Sequence, residues 1–369
     1  MLSKNPSGDV ENAVIRALYR TGKIDDSELN LSLITPEEAV AEYLDVNPKS
    51  NGESTMRSHE SRLGIFVDWC DDNEIEYMND LSKEDLEAYR EKREKKVKPR
   101  TLETQFQTLS VFVRYCESQG YVKPALSVEV PEIEVAEEDK SRDRYMTRER
   151  AKEVVSHLSR FNYASQDHAL WLLLTDTGIR TCTLRSLDID DFVELEDGTG
   201  YLNLEHRPKT GTRLKNKTAS ERQIPISSST CEVLSDYIEH RRPDTIDRYG
   251  REPLIATEQG RISASAVRTR INKWSAPCLI GDCPHGRNPD TCRPATVAGD
   301  MNCPSKRSPH DLRKGYITYM RQNGWDGPTL SDNVDASADV IDRHYDKTDK
   351  EKKRKLHATI LTEVVDDFE

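Results

Sequence analysis

With 369 residues, 33% of them charged and 35% hydrophobic, the chain is long enough for two separately cored domains, and no apolar run approaches the roughly 20 residues that span a bilayer. The net charge of −12 argues at first against a polyanionic partner, but the distribution of charge matters more than its sum. Acids gather in residues 131–143 and 363–369, and bases in residues 92–100 and 207–222, a pattern that suits an acidic protein of a salt-rich cytoplasm carrying local basic patches. The opening MLSKNPSGDVENAV has no apolar h-region, so a cytoplasmic place is expected, with the eight cysteines as reduced thiols or metal ligands.

Residues 1–34 carry little pattern and read as an arm. Thr35-Pro36-Glu37-Glu38 then reads as a helix start, with Thr as N-cap, Pro at the first position and acids in the first turn. A second helix is predicted over 54–72, where Leu63, Phe66, Val67 and Cys70 recur at helical spacing. Ser82-Lys83-Glu84-Asp85 opens a third in capping-box style. A fourth begins near Pro99, lines up Leu102, Phe106, Leu109, Phe112, Val113 and Cys116, and stops before Gly120. Residues 35–125 are therefore expected to form a compact helical domain, and the acidic, aperiodic stretch 126–144 a linker.

A second domain is expected over 145–369. Thr147 caps one helix, and a second carries Ala169 to Leu174 and reaches Gly178. Three short strands follow, in DFVELED, at Tyr201 to Glu205 and at Gln223 to Ile226, with the basic connection RPKTGTRLKNKTASER between the last two. Helices return over 229–241 and 263–274. A cysteine-rich insertion occupies 278–303, then a helix over 309–323, in which Tyr316 and Tyr319 read as core aromatics. A last helix is expected over 350–369, with Leu356, Ile360, Leu361, Val364 and Val365 on one stripe that packs on its own core or on a neighbouring subunit. The fold class is mainly α with a small β-hairpin sheet (α+β).

Three motifs stand in order in this second domain: Thr177-Gly178-Ile179-Arg180-Thr181-Cys182-Thr183-Leu184, then Ser308-Pro309-His310-Asp311-Leu312-Arg313, then Asp342-Arg343-His344-Tyr345-Asp346. Here the chain resembles the tyrosine recombinase, or phage integrase, family, with a likeness to archaeal and Xer-type integrases. That family carries an arginine in a T-G-x-R-x-x-E-L box, an H-x-x-R, and a nucleophilic tyrosine some 30 residues later. The resemblance covers residues 35–350. It implies a helical, SAM-like domain that grips DNA ahead of a catalytic domain, and site-specific DNA cleavage and rejoining through a 3′-phosphotyrosyl link, with double-stranded DNA as partner, a tetramer of the chain on two duplexes, no membrane and no cofactor for catalysis.

The residue types suit that chemistry. A phosphodiester under attack develops charge on its non-bridging oxygens, and two guanidiniums, Arg180 and Arg313, can clamp it without losing their own charge. His310 lies one helical turn from Arg313 and can donate to the phosphate or help move a proton. Tyr345 is the expected nucleophile, a phenol that needs such help at neutral pH. The family uses a hairpin lysine as acid for the leaving 5′-hydroxyl. Two candidates stay open: Lys215, in a Gly-Thr-Arg-Leu-Lys-Asn segment similar to archaeal T-P-L-K, and Lys209, in Lys-Thr-Gly. Lys217 lies in the same connection.

Two positions depart from the family. Thr183 stands where the box holds Glu, and no His or Trp stands about nine residues before Tyr345, where Ala336 falls at the spacing and Asn333 fits by local pattern. These departures also suit a non-catalytic DNA-binding protein on the same scaffold. In the basic run, Lys92, Arg93, Lys95, Lys96, Lys98 and Arg100 are candidates for phosphate contact. Cys278, Cys283, Cys292 and Cys303, with His285 as a substitute, are candidate ligands of a structural zinc that would order a loop poor in apolar residues, the other reading being a zinc-ordered interaction protein.

Overall fold

The structure, a computed structural model, describes residues 31–46, 53–136 and 144–345 and a few isolated positions near either end. Most of the predicted arm (1–34) and nearly all of the predicted tail helix (350–369) lie outside the described residues. The chain divides into two units, Met1–Asp143 and Arg144–Glu369. No described helix is long and apolar enough to cross a membrane.

Among the described residues the first unit holds four α-helices: α1 (Pro36–Val46), α2 (Glu53–Asp72), α3 (Lys83–Glu94) and α4 (Pro99–Gln119). Local chemistry sets their ends. Glu38 N donates to Thr35 Oγ1 at 3.2 Å while the Glu38 carboxylate accepts from Thr35 N at 3.1 Å, a reciprocal cap. Ser82 and Asp85 repeat it at α3. Gly120 closes α4 in the left-handed region, φ 73°. The apolar stripes meet in an aromatic core in which Phe66 sets its edge to Tyr89 at 5.3 Å and Tyr43 to Phe112 at 5.6 Å. The stretch read as a linker begins packed on this unit. Leu126 is buried, Val130 and Ile133 lie against the same core, and the buried Glu117 carboxylate accepts from Ala125 N and Ser127 N.

In the second unit, α5 (Arg148–Phe161), α6 (Gln166–Thr177) and the short α7 (Thr181–Ser186) precede an antiparallel sheet, β1 (Phe192–Glu194), β2 (Gly200–Leu204) and β3 (Arg222–Ile226), in the order β1-β2-β3. Leu202 stands opposite Phe192 and Ile224, and strand alternation buries Leu202, Leu204, Ile224 and Ile226. Then come α8 (Ser228–His240), the hairpin β4 (Ala256–Thr257) and β5 (Gly260–Arg261), α9 (Ala264–Trp274), the one-turn α10 (Arg293–Thr296), α11 (Pro309–Gln322), α12 (Gly327–Val334) and α13 (Ala338–Tyr345). Helical spacing does not announce α12 and α13 in the sequence, because each has only eight residues. They form a separate small core from Tyr316, Ile317, Leu330, Val334 and Ile341. Tyr316 is buried as expected. Tyr319 is not: it is exposed, with the Arg148 guanidinium 5.3 Å above its ring.

The basic run 207–222 also divides. Arg207 makes a bidentate pair with Asp191, at 2.6 and 2.8 Å, and belongs to a network in which Asp188 holds Arg251 and Arg261. Arg222 turns inward. Lys209, Arg213, Lys215 and Lys217 are left on the outside.

Candidate active site

The second unit brings two of the predicted site residues, Arg180 and Arg313, to one turn. Helix α6 stops at Gly178, whose φ of 61° favours glycine. A Cβ there would also fall 2.3 Å from the Tyr316 ring. Two residues on, Arg180 takes the extended N-cap position of α7, so its side chain leaves the turn rather than running along a helix. That side chain is a quarter exposed and donates from Nη1 to Asp335 Oδ2 at 2.5 Å. Arg313, on α11 and 5% exposed, reaches the same turn, its Nη1 donating to Gly178 O at 2.9 Å.

His310 lies in the first turn of α11. Ser308 caps that helix in a box with Asp311, whose carboxylate accepts Ser308 N at 2.7 Å and Ser308 Oγ at 2.8 Å. The outer edge of His310 reaches solvent. Crowding around the ring, and then the cations of Lys314, Arg313 and Arg180, nevertheless hold its pKa below the ordinary histidine value, with Asp311 opposing. His310, Arg313 and Arg180 thus share one electrostatic environment, which favours the neutral ring.

Lys215 and Lys209 are both exposed on the β2–β3 connection, but in different surroundings. Lys209 sits in a 3-10 turn, Pro208–Thr210, beside the Arg207 and Arg251 network. Lys215 precedes Asn216, whose Nδ2 donates to Asp335 Oδ1 at 2.8 Å, so its segment is tied to the carboxylate that holds Arg180. Tyr345 is the last residue of α13; its side chain lies outside the described residues. The helix itself packs on α11 and α12 through the buried Ile341.

Three participants have no motif to announce them. Asp335 caps α12 in the left-handed region (φ 55°) and accepts from Arg180, Asn216 and Ser220. The Ser220 hydroxyl, 1% exposed, is 2.8 Å from Asp335 Oδ2. Arg222 donates to Ser220 O and Asn333 O; burial lowers its pKa, Asp335 opposes and Arg180 adds to the lowering. Of the departing positions, Thr183 is buried and Ala336 lies against the small core. Asn333 donates to Tyr316 Oη at 2.7 Å.

Of the candidate DNA contacts in the first unit, Lys92 pairs with Asp72 at 3.0 Å, Arg93 donates to Gln105 at 3.1 Å and Arg100 pairs with Glu103. Lys95, Lys96 and Lys98 are exposed and make no ion pair among the described residues.

The four clustered cysteines are half-buried thiols. Burial raises the Cys278 pKa, and Cys283, Cys303 and Cys292 raise it further, so each of these three lies within electrostatic reach of Cys278. Lys306, 1% exposed, sits beside them and donates to the carbonyls of Val297 (3.1 Å), Ala298 (3.0 Å) and Asp300 (2.8 Å). Among the described residues no three His, Cys, Asp or Glu side chains close to metal-holding distance. His285 turns to Ser305 Oγ, 2.9 Å away.

Comparison with known proteins bears on family and fold. The model of the phage integrase family matches residues 144–352. A tyrosine recombinase XerC of Pelotomaculum thermopropionicum is 25% identical over 223 residues, 58% of this chain and 60% of that relative, so the match spans less than two thirds of its length. The XerC of Oceanobacillus iheyensis is 22% identical over 64% of this chain and 73% of its own. Among solved structures, the Tn1549 transposon integrase in complex with transposon right end DNA superposes with a TM-score of 0.61 at 13% identity, over 89% of this chain and all of that one. XerH bound to its difH substrate superposes with a TM-score of 0.57 at 13% identity, over 93% of each chain. At these identities the structural likeness speaks for the fold.

Proposed function

The chain belongs to the phage integrase family, and from that premise we propose that it is a site-specific DNA recombinase that cleaves and rejoins double-stranded DNA through a covalent link on Tyr345. The observation that carries this reading is the convergence of Arg180 and Arg313 on the Gly178 turn with His310 in the same field. Two fixed cations in a partly buried place are what a phosphodiester requires as charge builds on its oxygens. In the proposed step, Tyr345 Oη attacks phosphorus and forms the P–O bond as the bond to the 5′-oxygen breaks. The neutral His310 ring helps to take up the phenol proton, and Lys215 gives a proton to the departing 5′-oxygen. Rejoining is the same step reversed, so no external energy source is needed. Lys215 is preferred over Lys209 because Asn216 ties its segment to the partner of Arg180.

In this reading residues 35–125 grip the duplex, with Lys95, Lys96 and Lys98 the freest of the basic run to meet phosphate and Lys92, Arg93 and Arg100 contributing once their present partners yield. Residues 145–369 carry the chemistry. The functional assembly is a tetramer on two duplexes, acting on cytoplasmic DNA. The family chemistry requires no cofactor. Cys278, Cys283, Cys292 and Cys303 supply a donor set that suits a structural zinc, and the buried Lys306 cation would offset the surplus charge of four thiolates. Purified protein that retains one equivalent of zinc, lost on Cys283→Ser, supports that assignment; protein purified with zinc present that holds none contradicts it.

The function is tested on duplexes selected from a randomised pool by binding, then nicked so that cleavage is trapped. Wild type is expected to form a covalent protein–DNA adduct and Tyr345→Phe none. Specific binding with no adduct in wild type would instead make the chain a binding protein on this scaffold, the outcome that Thr183 and Ala336 would then explain.

A further inference from the structure

We propose that Asp335 is the positioning residue for Arg180, supplying from the end of α12 the carboxylate that Thr183 does not provide, and that it thereby fixes the arginine, the Lys215 segment and the approach to the Tyr345 helix as one unit. The proposal rests on the recombinase reading above. It begins from how Arg180 is held. Its Nη1 donates to Asp335, whereas its Nε–Nη2 edge carries no hydrogen bond among the described residues. A guanidinium gripped at one nitrogen keeps a flat two-donor edge for a phosphate, with its rotation removed. A carboxylate competing for the phosphate place would cover that edge; this one does not.

The same carboxylate reaches two other parts of the site. Oδ1 accepts from Asn216, the residue after Lys215, and Oδ2 accepts from the buried Ser220 hydroxyl at the far end of the same loop. Ser220 Oγ in turn accepts from Asn216 N at 3.0 Å, closing the loop on itself. Asp335 also stands three residues before α13, which ends at Tyr345. It is 9% exposed, so its charge is answered by Arg180, and by Arg222 nearby, rather than by water. Placing Asp here has a backbone cost, since φ is 55°; glycine would take that conformation freely, while Asp and Asn tolerate it through their short polar side chains. A residue kept only to end α12 could be glycine. The side chain is what the site uses.

That contrast supplies the test. Asp335→Gly relaxes the backbone and removes the carboxylate, and Asp335→Asn keeps shape and conformation but removes the charge. Both are compared with wild type by duplex affinity and by single-turnover cleavage of a nicked substrate at saturating DNA. Affinity is expected to stay within about threefold, while cleavage falls by roughly 100-fold in both variants, the scale for losing an oriented charge-stabilising group. On an Arg180→Ala background the same substitutions should cost at least about tenfold less than in wild type, because the group they chiefly orient is gone. Cleavage at or above the wild-type rate in Asp335→Gly would overturn the proposal, as would a loss that saturating DNA restores. Absence of adduct from wild type would reject the recombinase reading itself, a result distinguishable from either.

Discussion

Arg180 and Arg313 meet at one turn, but their surroundings assign them different costs of removal. Arg180 is a quarter exposed and its partner Asp335 also accepts from Asn216 and Ser220, so Arg180→Ala should reduce cleavage by about 100- to 1,000-fold and cost less stability than Arg313→Ala. Arg313 is buried and satisfies the Gly178 carbonyl, so Arg313→Ala should lose cleavage and also roughly 1–3 kcal/mol of stability in denaturant unfolding. Equal stability of the two variants would contradict the assignment of Arg313 as both clamp and support. His168 makes a separate prediction of pH dependence. It is 1% exposed, burial lowers its pKa to about 4, and its Nδ1 accepts from Ala164 N at 3.2 Å, which requires the neutral ring. The unfolded chain takes up this proton near pH 6.5 and the folded one only near pH 4. The stability is therefore full above about 6.5 and falls as pH drops toward 4, by roughly 3 kcal/mol in all. His168→Asn, which keeps an acceptor at the Nδ1 position, should flatten that part of a stability-versus-pH curve. An unchanged slope would show that folding does not lower the His168 pKa.

At the level of elements, glycines separate helices that only need a backbone from helices that need space. Gly315 on α11 lies where a Cβ would come 1.8 Å from the Met146 carbonyl oxygen, and Met146 N donates to Asp311 O at 2.9 Å, so backbone packs on backbone there. Gly315→Ala should push α11, with His310 and Arg313, off its seat and destabilise the second unit by about 1–3 kcal/mol. Gly64 sits in α2 with nothing within 4 Å of an added Cβ, and Gly64→Ala should stabilise the first unit by about 0.5–1 kcal/mol. Separate thermal transitions of the two variants check both signs. The same elements show what a sequence can reveal. The capping boxes at Thr35, Ser82 and Ser308, the stripe along α4 and the alternation in β2 and β3 are local signals, and local signals survive without a partner. Helices α12 and α13 are too short for periodicity, and the loop after β2 hides its ion pairs in a run of basic residues. The exposed Tyr319 was misread for a related reason: one residue's burial depends on what lies over its face, here Arg148.

At the scale of the whole chain, a net charge of −12 and the proposed DNA-directed function are compatible because basic runs such as 92–100 stand apart from the acidic runs 131–143 and 363–369. The three motifs at Gly178, His310 and Tyr345 were legible because the chemistry fixes residue types and chain order. Asp335, Ser220 and Arg222 were not, because their roles exist only when segments more than 100 residues apart fold together. The central claim is that Tyr345 carries the DNA. Trapped adduct digested with protease and nuclease, then read by mass spectrometry, tests it most directly. The account predicts a nucleotide 3′-phosphate on the peptide containing Tyr345 and on no other. The same modification on Tyr316 or Tyr319, or an adduct that persists in Tyr345→Phe, would contradict it.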